Sequence, residues 1–173
     1  MAHKKSKQRV DVSARAFLNY ARHYQAAADE LSAIASQGRQ RPELAVPTTF
    51  LYSHTIELAF KAFLRAHGRG ILGTACQTHD LEKLYEECRR LGLVNDPVDI
   101  GNVVELLNSG SEDQALRYFT LRPTGRPETS WTRDVVDRLL RTVEGVVDER
   151  CKSEKYDRAV KIDLTIGRPE RKK

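Results

Sequence analysis

The chain has 173 residues, 40% hydrophobic and 31% charged, which suits a single domain whose core needs neither a disulfide frame nor a structural metal. No run approaches the ~18 apolar residues of a membrane span, and the basic start MAHKKSKQR is followed by no apolar segment, so neither an anchor nor a signal peptide is expected and a cytoplasmic location is. The net charge of +5 sits at the ends: residues 1–9 carry +4 and residues 152–173 another +4, which leaves 10–151 at −3. Basic ends of this kind suit contact with RNA, DNA or an acidic partner, and equally suit a solubilising tail. Cys76, Cys88 and Cys151 are far apart without CxxC spacing, which reads as reduced packing cysteines.

Residues 1–11 form a basic leader, expected to be disordered. From Val12 to Gln37, Phe17, Ala21, Tyr24, Ala28, Leu31 and Ala35 recur at spacings of four and three, which predicts an amphipathic helix capped by Asp11 or Ser13 and ended at Gly38. Its alternating alanines suit close antiparallel packing on a neighbour. After the connector GRQRPELAVP comes the most apolar stretch, residues 47–68, a central helix with Pro47 in its first turn. Apolar side chains cover most of its circumference, while His54, Glu57, Lys61 and Arg65 stack along one line. Such a line faces solvent, a partner or a site, and Glu57 with Lys61 makes an i,i+4 pair in any of these cases.

A glycine-punctuated loop leads to THDLEKLYEECRRLGL, a third helix with Thr78 as the expected cap, His79 and Asp80 in its first turn and Gly92 at its far end. Leu81, Leu84, Tyr85, Cys88 and Leu91 form its buried face. Asp96-Pro97 opens a short helix with Ile100, Val103, Val104 and Leu107 inward. SEDQALRYF predicts one or two helical turns before LRPTGRPE breaks the pattern. A long last helix follows from Ser130 to Cys151, its apolar face made by Trp131, Val135, Leu139, Val143 and Val146 together with Val136, Leu140 and Val147. In the basic tail, 153–173, Val160, Ile162, Leu164 and Ile166 alternate with polar residues, a strand period that predicts an extended segment over 160–166, open to pairing with its copy in a second subunit. The fold class expected is all-α, an antiparallel up-and-down bundle of four to five helices over 12–152, with a short C-terminal extended segment.

SHTIELAFKAFL in the central helix, THDLEKLYEEC after it and LRYF before the last helix resemble the HEPN superfamily over roughly residues 12–150. The resemblance implies a bundle of four to five helices, a homodimer, and a setting in prokaryotic toxin–antitoxin or defence systems, often beside a nucleotidyltransferase-type protein partner. Many such proteins are metal-independent ribonucleases that depend on Arg-x4–6-His near the start of the last helix. That motif is absent. The five histidines are His3, His23, His54, His67 and His79, and none has an arginine at the required spacing before it. The resemblance therefore implies the fold, and a binding or accessory role without ribonuclease activity.

Three sets of candidate residues remain. Arg117 and Tyr118, with Arg122 and Arg126, form a loop cluster whose guanidinium forks suit phosphate oxygens of RNA or a nucleotide, although Tyr118 and Phe119 also suit a core plug. His54, Glu57 and His79 are the alternative catalytic set, for a divergent ribonuclease lacking the usual histidine, and Lys61 adds a cation beside them. His54 and Glu57 with His79 and Asp80 make up the third, a candidate metal set, but the spacing is not HExxH and no third helix supplies a ligand, so no metal is assigned. No phosphate loop or nucleophile triad is legible and no cofactor is expected. The reading preferred for the polar line is structural: it holds the central helix to the His79–Asp80 turn.

Overall fold

The computed structural model describes residues 13–36, 41–69, 78–93, 98–108 and 128–166, of which 98, 99, 108 and 154–166 are described as backbone alone. Five α-helices and no strand occur among them: α1 (Ala14–Ser36), α2 (Ala45–Ala66), α3 (Leu81–Arg90), α4 (Val98–Asn108) and α5 (Thr129–Ile166). The fold is an all-α helical bundle. None of these helices is long and apolar enough to cross a membrane.

α1 starts where Ser13 caps it, the Ser13 hydroxyl accepting from the Ala16 N–H at 3.1 Å and its carbonyl from the Phe17 N–H at 3.2 Å. Leu18, Ala21, Gln25 and Ala28 then form a buried stripe at helical spacing. The two alanines, at 0% exposure, let the backbone of α2 come close. A 3-10 turn, Pro42–Leu44, feeds directly into α2, where Pro47 is tolerated because first-turn N–H groups have no intrahelical acceptor.

α2 is the centre of the molecule, packing against α1, α3 and α5. Tyr52, Ile56, Ala59, Phe60, Phe63 and Leu64 are all at most 2% exposed, and they point in several directions around the helix. Buried threonines are accommodated by bonding back one turn: Thr48 to the Leu44 carbonyl and Thr55 to that of Leu51, each at 2.8 Å. The helix closes with Gly68 at φ +77°, its N–H on the Arg65 carbonyl and the Arg69 N–H on that of Leu64, both at 3.0 Å. This double bond pattern needs a left-handed residue, for which glycine has no side-chain penalty. α3 ends the same way at Gly92, φ +87°, with the Leu93 N–H on the Cys88 carbonyl at 2.9 Å and Leu93 itself buried.

α3 crosses α2: Tyr85 stacks on Phe60 with ring centroids 5.7 Å apart, and the buried Cys88 thiol lies 3.7 Å from the Phe60 carbonyl. α4 covers α3 and α5, burying Ile100, Val103, Val104 and Leu107 as their spacing predicts. α5 lays Val135, Val136, Leu139, Leu140, Val143 and Val147 against the rest.

Two sequence expectations are corrected here. The segment 160–166 is helical, the continuation of α5, and is not an extended segment. A strand must find another edge for its N–H and C=O groups, and the described chain supplies none; a helix already running satisfies them internally at one bond per added residue. The helix itself passes residue 152 without a break. The α3 cap is Asp80, not Thr78: the Asp80 carboxylate accepts from the Lys83 N–H at 3.2 Å, and Thr78 Oγ accepts from the Asp80 N–H at 3.0 Å, so His79 and Asp80 precede the helix.

Candidate functional site

The polar line of α2 does not face solvent along its length. Glu57 and Lys61 are only 6% and 7% exposed, so of the three surroundings expected for the line, solvent is set aside at these two residues. They occupy successive turns, so Lys61 Nζ reaches Glu57 Oε1 at 2.7 Å. The turn entering α3 delivers His79, whose Nδ1 lies 2.9 Å from the same Oε1, while His54 Nδ1 stands 3.5 Å from Oε2. One buried carboxylate thus gathers Lys61, His54 and His79, and ties α2 to the start of α3.

The rings around His54 fix it further. Tyr24 of α1 meets it edge-on with centroids 4.4 Å apart, and Phe50 stacks against it at 6.1 Å. His79 is the member open to water, with 63% of its side chain exposed. Asp80, beside it, has its carboxyl below the ordinary range: slight burial works upward, and the hydrogen bonds from Lys83 outweigh it.

Burial is the largest influence on Glu57 and pushes its carboxyl up; hydrogen bonds from His54 and Lys61 and the charges of Lys61 and His79 outweigh it, leaving the group lowered to about 2. At neutral pH such a carboxylate is a poor proton acceptor, and its lone pairs are already engaged. Because the folded value lies below the ordinary 4.5, ionised Glu57 stabilises the fold above the ordinary value, and that contribution disappears as pH falls from 4.5 to about 2. Thermal melts across this window are expected to show wild type losing stability more steeply than Glu57→Gln, by on the order of 2 kcal/mol after allowance for solvent screening. Parallel curves would show that Glu57 is not specially stabilised.

Among the described residues no group of three or more His, Cys, Asp or Glu side chains is arranged to hold a metal ion. The convergence of His54, Glu57 and His79 is occupied by a cation of the protein's own, since the Lys61 ammonium sits on Glu57. Arg117, Tyr118, Arg122 and Arg126 lie outside the described residues, as does Cys76.

A second polar arrangement escaped the sequence reading. Along the seam between α1 and α5, Arg15 pairs with Asp148, Arg22 with Glu144, and Gln25 donates to Asp137 at 2.8 Å. Further along, Asp29 accepts from the Tyr52 hydroxyl at 2.7 Å and meets Arg133 Nε at 3.3 Å, joining three helices. Burial first, and then the bond to Asp29, push the Tyr52 phenol well above its usual value, which keeps it a neutral donor. The signal was present in the recurrence of Arg15, Arg22, Gln25 and Asp29 at spacings of seven, three and four, with Gln25 a polar member of the core stripe itself. As α1 residues rise from 15 to 29 their α5 partners fall from 148 to 133, so the two helices are antiparallel. These contacts set register; as half-exposed pairs they add little stability.

No protein-family model, curated protein or solved structure matches this chain.

Proposed function

We propose that the chain is a HEPN-like helical accessory or binding subunit, homodimeric and cytoplasmic, serving a prokaryotic toxin–antitoxin or defence system without cleaving RNA itself. The observation that supports this most is the 2.9 Å contact between Glu57 and His79. It joins the two segments that carry the resemblance, SHTIELAFKAFL and THDLEKLYEEC, and gives their polar residues a structural role, that of holding one helix to the next. α5 contains no histidine, so the cation-and-imidazole pair that the family's ribonucleases place there has no counterpart in this chain. In this reading the segment with Arg117, Tyr118, Arg122 and Arg126 meets RNA, a nucleotide or a nucleotidyltransferase-type protein partner.

One observation favours a second reading, a divergent metal-independent ribonuclease. His79 is exposed while its Nδ1 is held by a buried carboxylate, an arrangement that orients an imidazole as a base. Incubation with total RNA separates the two. Tag-free wild type, His54→Ala and His79→Ala are all expected to leave RNA at the no-protein background; cleavage by wild type that is lost in His79→Ala would install the ribonuclease in place of the accessory subunit.

A further inference from the structure

The outer face of α1 is poorer in charge than those of α3 and α5. The exposed side chains of α3 are Glu82, Lys83, Glu86, Arg89 and Arg90, and those of α5 include Arg133, Asp134, Arg138 and Arg141. Between the ends of α1 the exposed face carries one formal charge, Glu30. Its other members are alanines with Asn19, Tyr20, His23 and Ile34. In a chain that is 31% charged, a helix face of this make-up has the composition of an interface centre, depleted in charge and containing an aromatic. Tyr20 and Ile34, 58% and 42% exposed, are two of the three large hydrophobic side chains that the described residues leave in water. Tyr20 is already packed edge-on against His23, with ring centroids 6.1 Å apart. Neither the His23 nor the Glu30 side chain makes a hydrogen bond or ion pair with another described residue.

We infer that this face binds a second copy of the chain, through an antiparallel α1–α1 contact on a two-fold axis beside Ala27. The face is complementary to itself in that arrangement. Tyr20 and Ile34 stand equally far before and after Ala27, so each Tyr20 meets Ile34 of the partner subunit. His23 lies four positions before Ala27 and Glu30 three after it, so His23 stands within one residue's rise, about 1.5 Å, of level with Glu30 of the partner subunit. The axis generates that pair twice. Ala27 at the crossing has no side chain to hold the helices apart. Within one chain His23 and Glu30 are separated by two turns, roughly 10 Å, and do not reach each other, so any energetic coupling between them runs between copies. A contact confined to one helix face lies at the small end of specific interfaces, and its assembly depends on concentration.

The inference rests on the homodimer of the proposed function and names its face: a monomer would remove that homodimer too and leave the accessory role to the RNA assay, whereas a dimer indifferent to Ile34→Glu and His23→Glu would overturn this face alone. Sedimentation equilibrium of the full chain from about 1 to 100 µM, a range suited to a small interface, is expected to show a monomer–dimer equilibrium. Ile34→Glu and His23→Glu are each expected to raise the dissociation constant at least ~10-fold, the second by setting two carboxylates opposite each other. His23→Glu with Glu30→Lys is expected to recover affinity to within ~3-fold of wild type, since the reversed pair is again complementary. At concentrations where wild type is monomeric, far-UV circular dichroism and thermal midpoints should match wild type, because all substituted positions are exposed. A monomer throughout the range, a dimer indifferent to Ile34→Glu and His23→Glu, or a double variant no better than its single parent would each overturn the α1 interface.

Discussion

Glu57→Ala is expected to lower the free energy of unfolding by about 3 kcal/mol, several times the value of an exposed i,i+4 pair. The reason lies in what remains. Lys61 stays 7% exposed on a helix enclosed by α1, α3 and α5, with its 2.7 Å partner gone. An ammonium held there without a counter-charge carries its desolvation cost uncompensated. His79 loses the acceptor that fixes the turn into α3, and His54 loses the carboxylate beside its ring. Urea unfolding gives the difference directly. Lys61→Ala is expected to cost less, because the two histidines still face the carboxylate.

Phe60→Ala is expected to be the more severe change, about 4 kcal/mol, by loss of buried apolar area and by the cavity left behind. Phe60 is 0% exposed at the point where α3 crosses α2, stacked on Tyr85 and adjacent to Cys88. The neighbours cannot collapse into the space easily: Tyr85 is itself backed by Gly101 of α4, whose added Cβ would stand 3.6 Å from the tyrosine ring. A loss of this size is a large fraction of the stability of a domain this long, so the midpoint in urea should fall steeply or the cooperative transition disappear. Phe60→Leu, which keeps most of the volume, is expected to recover more than half of the loss.

Much of the architecture was legible because hydrophobic period and end signals agree. The inward positions of α4 and α5 follow directly from spacing, and Gly92 closes α3 where its left-handed conformation is required. α2 was legible as the centre because no other stretch is apolar around its circumference. Three features were not readable, each for a physical reason. An i,i+4 Glu–Lys pair has the same pattern whether it is in water or enclosed, so the burial of Glu57 and Lys61 depends on packing that α2 alone does not encode. Val160, Ile162, Leu164 and Ile166 alternate as a strand would, but alternation cannot supply the partner a strand needs, and the backbone continues as helix. Thr78 and Asp80 are both good capping residues two positions apart, and the choice between them is made by which one can reach the Lys83 N–H.

The site was legible in part. Glu57 and His79, 22 residues apart, were placed together by the reading that the polar line holds the α3 turn, and they meet at 2.9 Å. The α1–α5 seam was missed because its members look like ordinary surface charges until the antiparallel register brings Arg15 to Asp148 and Asp29 to Arg133.

The claim that this polar cluster is a structural tie is tested most directly by a double-mutant cycle between Glu57 and Lys61 in urea unfolding. Glu57→Leu, Lys61→Leu and the double variant would be compared with wild type. A tie built on a buried pair is expected to give a double variant more stable than Glu57→Leu alone, with a coupling of about 2 kcal/mol, because removing both charges removes the desolvation that either leaves behind. Additive losses, or a Glu57→Leu protein as stable as wild type, would contradict the account and free the cluster for a chemical role.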